Sequence, residues 1–261
     1  MNLSISNIGW SAEHDSQVYE LMQKYGFSGL EIAPTRIFSE NPYDRLNEAE
    51  KWAENIKEQY GFSVPSMQSI WYGRQEKIFG TKEEFDTLID YTKKAIDFAS
   101  AIGCKNLVFG CPRNRNLIVG SDVETGIKFF RKIGDYAASK RTVIGMEANP
   151  TIYNTNYVND TVSAIELIKR VGSEGFKLNL DIGTMIYNKE NIKVLIKNGN
   201  LINHVHISEP MLKPIAKRKI HRELKELLLN ENYQKFISVE TGKVDEVSII
   251  KETMEYIAEI F

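Results

Sequence analysis

The sequence predicts an α/β protein, a single (β/α)8 barrel. Three observations support this prediction: strand-like and helix-like patterns alternate eight times, the chain has 261 residues, and no Ser- or Pro-rich linker divides it. A barrel of eight βα units typically takes about 250 residues, and regular alternation of strands and helices indicates a parallel sheet. We therefore expect one TIM-barrel domain that spans residues 1–261.

The order of the elements follows from hydrophobic periodicity. Short runs rich in β-branched residues with a two-residue period indicate strands, and apolar residues three or four positions apart indicate helices. The strands are predicted at 3–9, 28–33, 62–70, 104–110, 142–148, 177–182, 202–208 and 235–241. The helices are predicted at 15–25, 44–60, 82–102, 122–139, 158–171, 189–198, 219–230 and 246–260.

An open doubly wound sheet is the competing architecture. It usually carries a Gly-rich phosphate-binding turn after its first strand, and the segment Ile8-Gly9-Trp10-Ser11 is not such a turn. The helix boundaries favour the regular βα repeat. Thr81 with Glu84 and Ser121 with Glu124 have the spacing of capping boxes. Glycines that end helices before a strand are predicted at Gly26, Gly61 and Gly103.

Composition narrows the classes of partner. The net charge is −2, so no overall field favours nucleic acid or an anionic membrane surface. No apolar stretch approaches the roughly 18 residues of a membrane span. Cys104 and Cys111 stand at the two ends of one predicted strand, too far apart for a disulfide. Free thiols fit a reducing compartment, so we expect a cytoplasmic protein.

Four predicted strands in the second half of the chain each carry a metal-ligand residue within two positions of their C-terminal end: Glu147, Asp181, His206 and Glu240. A parallel barrel brings the C-terminal ends of all its strands to one mouth. Buried carboxylates need a compensating charge, and a divalent cation provides it. Three carboxylates and one imidazole suit Mn²⁺, Mg²⁺ or Fe²⁺, with Co²⁺ and Zn²⁺ as alternatives. We expect one divalent ion and favour Mn²⁺.

The same strand ends resemble a known family. The resemblance lies in Gly29-Leu30-Glu31-Ile32, Gly145-Met146-Glu147-Ala148-Asn149, Leu180-Asp181-Ile182-Gly183, His204-Val205-His206-Ile207-Ser208-Glu209 and Ser238-Val239-Glu240. Taken in order, these motifs resemble the xylose isomerase-like TIM-barrel superfamily over essentially the whole chain. That superfamily includes sugar phosphate isomerases and epimerases, inosose dehydratases and AP endonucleases of family 2 type.

The resemblance implies a metal-dependent sugar or sugar-phosphate isomerase or epimerase of carbohydrate metabolism. By analogy Glu147, Asp181, His206 and Glu240 are the metal ligands. Glu147 and Glu240 are also the catalytic residues, which exchange protons with the substrate. The expected reaction is proton abstraction next to a carbonyl, through an enediolate that the metal stabilises.

Further polar and aromatic residues are candidate substrate contacts around the predicted mouth. An ordinary structural role is the alternative for each, because loop side chains commonly just contact solvent or their neighbours. The candidates are Glu31, Gln68, Trp71, Arg113, Arg115, Asn149, His204, Glu209 and His221. One departure from the family pattern concerns Thr184, because sugar epimerases of this group usually have a His at this position.

Other functions stay open from the sequence. A dehydratase would use the same base and Lewis acid to expel a hydroxyl group, and a non-catalytic sugar-binding barrel would explain Thr184. A DNA-repair endonuclease of this superfamily needs about three zinc ions, and the four histidines of the chain are too few for it. We therefore expect a small carbohydrate as partner, with no nucleic acid or membrane, and leave a homo-oligomer open.

Overall fold

Seven parallel strands form the wall of a barrel in the computed structural model, which describes residues 1–261. Their order around the wall is β2-β1-β7-β6-β5-β4-β3. The strands are β1 (Asn2–Ser6), β2 (Phe27–Glu31), β3 (Leu107–Phe109), β4 (Ile144–Glu147), β5 (Phe176–Asp181), β6 (Ile202–Ile207) and β7 (Phe236–Val239). The predicted α/β barrel is therefore confirmed.

The eighth position of the wall, between β2 and β3, is irregular. The 62–68 segment runs there and forms only isolated bridges, Gly29 with Ser63 and Met67 with both Ile32 and Leu107. The predicted regular strand at 62–70 is wrong in this respect. Pro65 is the physical reason, because proline has no amide hydrogen and interrupts the hydrogen-bond ladder of a central strand.

Helices follow most strands and surround the wall. They are α1 (Asp15–Lys24), α2 (Pro34–Ile37), α3 (Leu46–Tyr60), α4 (Lys82–Ala101), α5 (Val123–Ser139), α6 (Thr161–Val171), α7 (Ile182–Asn188), α8 (Lys219–Asn230) and α9 (Val247–Ile260). None of them combines the length and the apolar character that crossing a membrane would require.

The predicted helix at 189–198 is wrong. The helix in this βα unit is α7, which begins directly after β5, and Lys189 ends it with a φ of 56°. The Asp181 carboxylate accepts hydrogen bonds from the amides of Gly183 and Thr184. This cap starts the helix immediately at the strand end. Only a short 3-10 turn, Ile192–Leu195, forms within the predicted range.

The predicted helix caps are confirmed at most helix ends, and one cap lies one residue later than predicted. The capping box of Thr81 and Glu84 is confirmed by reciprocal hydrogen bonds. The box predicted for Ser121 and Glu124 is wrong, because Asp122 caps α5 by accepting a hydrogen bond from the Glu124 amide. The three predicted terminal glycines have φ values between 71° and 78°, which is the left-handed region: Gly26, Gly61 and Gly103.

Aromatic side chains fill the layer between α5 and the strands. The ring of Phe130 lies 4.9 Å from that of Phe109 and 4.8 Å from that of Phe176. At the start of β5, a Cβ atom on Gly175 would lie only 2.0 Å from the carbonyl oxygen of Gly134. The missing side chain lets the helix backbone approach the strand, which fixes β5 and therefore its terminal Asp181.

Candidate active site

Three of the four predicted metal ligands meet at the mouth of the barrel. Glu147 is the last residue of β4, His206 lies near the end of β6, and Glu240 directly follows β7. The Nδ1 atom of His206 is 3.0 Å from Glu147 Oε2 and 3.2 Å from Glu240 Oε2. One ligand atom from each residue lies within 4.8 Å of the others, and all three residues are buried. Such a group can hold a divalent cation.

Asp181 lies at the same mouth, but its carboxylate is engaged by neighbouring groups. Oδ2 accepts hydrogen bonds from the Thr184 amide at 2.8 Å and the Thr184 hydroxyl at 2.7 Å. Oδ1 accepts one from the Ser208 hydroxyl. Burial, reinforced by the charge of Glu147, raises the pKa of Asp181. The hydroxyl of Thr184 therefore orients the carboxylate that the family pattern assigns to the metal.

The ring of His206 has one carboxylate at its Nε2 atom and two at its Nδ1 atom. Its Nε2 atom lies 3.0 Å from Glu31 Oε2, within hydrogen-bond distance. Its Nδ1 atom is buried and has no hydrogen-bond partner, although two carboxylate oxygens lie close to it. A buried nitrogen acceptor beside carboxylate oxygens is a suitable donor set for Mn²⁺, Fe²⁺ or Zn²⁺. The residues present therefore fit one divalent ion.

The charges at the mouth perturb one another strongly. Burial raises the pKa of Glu240 to about 7, although the neighbouring His206 opposes this rise. Burial alone would lower the pKa of His206, but Glu31 and Glu240 raise it well above its ordinary value. Clusters of strongly perturbed groups in a cleft are typical of functional sites.

Glu147 is positioned through both of its carboxylate oxygens. Asn149 donates a hydrogen bond to Oε1 at 3.0 Å and Asn179 donates one to Oε2 at 2.9 Å. Arg115 lies behind them, with Nη1 donating to the Glu147 carbonyl at 2.9 Å and Nη2 to Asn149 Oδ1 at 3.0 Å. This network fixes the side chain of Glu147 relative to the end of β4.

A cavity of about 190 Å³ opens above these residues. It contains no lysine or arginine and is lined by Gln68, Ser69, Val108, Gly110, Cys111, Pro112, Glu147, Asn149, Tyr153, Asp181, Ser208, Leu212 and Glu240. Burial raises the pKa of Cys111 to about 12, so its thiol stays protonated and is a poor nucleophile. Sequence reasoning missed Ser69, Tyr153, Ser208 and Leu212, which lie in the loops after strands.

Only two of the candidate substrate contacts line the cavity, and the others lie below or beside it. Gln68 and Asn149 line the cavity, whereas Glu31 and His204 lie beneath it in the barrel interior, with His204 Nε2 3.0 Å from Glu31 Oε2. Trp71 is buried against Phe109 and donates a hydrogen bond to Thr92 Oγ1.

The remaining candidates lie off the cavity surface. Arg115 is fully buried and Arg113 is exposed. Glu209 accepts two hydrogen bonds of 2.6 Å from Arg218. His221 has its Nδ1 atom 2.9 Å from the hydroxyl of Tyr256, between α8 and α9.

Comparison with known proteins places the chain in a family. Residues 19–260 match the family model described as xylose isomerase-like TIM barrel. The chain therefore belongs to this family, which confirms the resemblance seen in the strand-end motifs. No match was found among curated proteins.

Several crystal structures share the fold. The 3-keto-D-glucoside 4-epimerase YcjR from E. coli is 18% identical, with a TM-score of 0.76 over 99% of each chain. The D-psicose 3-epimerase from Clostridium cellulolyticum H10, crystallised with D-tagatose, is 16% identical, with a TM-score of 0.73 over 100% of this chain and 91% of its own. The IolI protein with a bound zinc atom is 16% identical, with a TM-score of 0.70 over 100% and 99%. At these identities the likeness shows the fold alone.

Proposed function

We propose that the protein is a divalent-metal-dependent isomerase or epimerase of a small unphosphorylated sugar. The observation that carries the proposal is a pair of cavity-lining carboxylates, Glu147 and Glu240, whose Oε2 atoms lie 3.0 and 3.2 Å from His206 Nδ1. Two carboxylates at a metal-binding mouth provide the acid and base groups that moving a carbon-bound proton requires.

One divalent ion is part of the proposal. Glu147, Asp181, His206 and Glu240 would hold it, and the oxygen-rich set favours Mn²⁺. When bound, such an ion supplies a Lewis acid that stabilises negative charge on substrate oxygens. The zinc atom in the structure of IolI, a protein of the same fold, supports the presence of a divalent ion.

The two carboxylates have complementary tasks in the proposed reaction. One removes the proton from the carbon next to the carbonyl, and the other returns a proton to the opposite face or to the neighbouring carbon. Asn149 and Asn179 keep Glu147 in a fixed orientation, which would hold its oxygens in place against a bound substrate. Without such positioning, proton transfer loses much of its advantage over solution chemistry.

The cavity favours a neutral sugar. Its surface carries the carboxylates of Glu147, Asp181 and Glu240 and no basic side chain that could pair with a phosphate. Arg218, whose partner Glu209 directly follows the cavity residue Ser208, pairs with that carboxylate and does not line the cavity. The volume is also below the roughly 300–1,000 Å³ that holds drug-sized ligands. The epimerase structures with D-tagatose and D-fructose support this substrate class, and we propose that Gln68 and Asn149 contact sugar hydroxyls.

The test begins with metal content and continues with isotope exchange. Wild type and Asp181→Ala, purified identically, are compared by elemental mass spectrometry, and ketoses are then incubated with the enzyme in D₂O. We expect about one ion per wild-type chain and deuterium at the carbon next to the carbonyl. Glu240→Gln should slow exchange by about 10²–10⁴-fold, because it removes one of the two proton-transferring groups.

The matched control is Glu246→Gln, the same substitution at an exposed position six residues further on, which should exchange like wild type. A wild type that neither contains nor takes up Mn²⁺ or Zn²⁺ would contradict the proposal. A product that has lost a water molecule would instead assign a dehydratase, and sugar binding without any exchange would assign a non-catalytic barrel.

A further inference from the structure

Glu31 is a fully buried carboxylate that the proposed reaction does not use. It is the last residue of β2, with no exposed surface, and its Oε2 atom lies 3.0 Å from His206 Nε2. Gln68 donates a hydrogen bond to the other oxygen, Oε1, at 3.2 Å and another to Ser6 Oγ at 2.6 Å. The carboxylate is therefore held from one side while it faces the imidazole from the other.

The chemistry of this contact decides which nitrogen of His206 carries a proton. A neutral imidazole has one N–H donor and one acceptor nitrogen, whereas an ionised carboxylate only accepts hydrogen bonds. Nδ1 faces Glu147 and Glu240, and a cation bound among these three groups would take the lone pair of Nδ1. The one remaining ring proton would then be on Nε2, which lies 3.0 Å from Glu31 Oε2, an oxygen that can accept it.

We propose that Glu31 is a positioning residue that fixes the tautomer and orientation of His206 for metal binding. The inference rests on the metal site of the proposed function and adds a residue from a fifth strand to it. A carboxylate that accepts a hydrogen bond from the far nitrogen of a metal-binding histidine makes the ligating nitrogen more basic and keeps the ring in place. Removal of that carboxylate typically costs about 10–100-fold in metal affinity.

A second arrangement of the same atoms leads to a different expectation. Glu31, His204 and His206 also offer three ligand atoms within 4.8 Å of one another. None of these three residues lines the mouth cavity. Glu31 only accepts a hydrogen bond from Gln68, which does line it. Under our proposal this group holds no ion, so each wild-type chain binds a single ion.

The experiment compares metal affinity in three proteins. Wild type, Glu31→Gln and Glu190→Gln are stripped of metal, and their dissociation constants for Zn²⁺ and Mn²⁺ are measured by competition with a chelator. Glu190 makes hydrogen bonds near the end of α7, so it controls for the loss of one carboxylate outside the site. We expect 10–100-fold weaker binding for Glu31→Gln and wild-type binding for Glu190→Gln.

A second readout needs no variant. The chain has four histidines, so ¹⁵N NMR of the rings in the zinc-loaded wild type can be assigned. We expect a proton on Nε2 of His206, slowly exchanging with water, and zinc on Nδ1. Zinc on Nε2, two ions per chain, or unchanged affinity in Glu31→Gln would each overturn the inference. A wild type that binds no ion would instead overturn the proposed function.

Discussion

Arg115 carries a buried positive charge without a carboxylate partner. It is fully buried, and its guanidinium donates hydrogen bonds to the carbonyl oxygens of Glu147 and Val158 and to the side chain of Asn149. Burial lowers its pKa to about 10, so the group stays charged at neutral pH. It joins the loop after β3 to the loop after β4 and supports Glu147 from behind.

Replacing Arg115 with Ala should lower the free energy of unfolding by about 3 kcal/mol or more, because several charge-assisted hydrogen bonds are lost and their acceptors stay buried. Arg113, two residues earlier, is exposed, so Arg113→Ala should change stability by no more than about 0.5 kcal/mol. Urea denaturation measures both values. Equal losses in the two variants would show that the hydrogen bonds of Arg115 are not stabilising.

Single residues were predictable from the sequence where a strand ends and less so elsewhere. The two-residue period of strands predicted that Glu147, His206 and Glu240 face the barrel interior, and their mutual distances confirm it. The period says nothing about the path of a loop. Glu209 and His221 therefore met partners that no local pattern could indicate, namely Arg218 and Tyr256.

The start of α5 offers a test at the level of one element. The Asp122 carboxylate accepts a hydrogen bond from the Glu124 amide, whereas the hydroxyl of Ser121 accepts one from the amide of Ile118 in the preceding loop. Asp122→Ala should therefore cost about 0.5–2 kcal/mol of stability, the usual loss for an N-cap.

Ser121→Ala is the matched comparison, and we expect a change within about 0.5 kcal/mol, because the hydroxyl serves an exposed turn. Thermal unfolding of the two variants ranks them directly. If Ser121→Ala proved the more damaging change, the helix would begin one residue earlier, as the sequence motif alone suggests.

The helix predicted at 189–198 forms earlier in the chain, at Ile182–Asn188. The sequence from 189 to 198 contains apolar residues at helical spacing, Ile192, Leu195 and Ile196. The helix nevertheless forms at 182–188, because the carboxylate of Asp181 caps the amides that follow β5. The Asp181 side chain thus both caps a helix and lines the mouth cavity. Apolar periodicity does not indicate such a cap, because the cap depends on a polar residue.

At the scale of the molecule, the order of strands and helices was predictable because each βα unit repeats the same change of period. The unit that departs from this order is the third, where Pro65 interrupts the pattern of the predicted strand. The site was predictable for a related reason, since the barrel brings strand ends together whatever lies between them. The cavity lining was less predictable because loops supply most of it.

The irregular 62–68 segment forms a seam in the barrel wall, between the two ends of the run of seven regular strands. It is held by hydrogen bonds from the amides of Ser63, Met67 and Gln68 and from facing amides on both sides, without the continuous ladder that joins the other strands. We expect this seam to open before the rest, because local opening occurs where cooperative contacts are fewest.

Hydrogen–deuterium exchange followed by mass spectrometry measures this directly: peptides that cover 62–68 should exchange faster than those that cover 236–239. Slower exchange at 62–68 would mean that the barrel first opens elsewhere. When the seam opens, Gln68 and Ser69 leave the cavity wall, while Glu147, Asp181, His206 and Glu240 stay on the uninterrupted run from β4 to β7. The same opening removes the hydrogen bond from Gln68 to Glu31, so the carboxylate that faces His206 Nε2 is held from the seam side of the barrel.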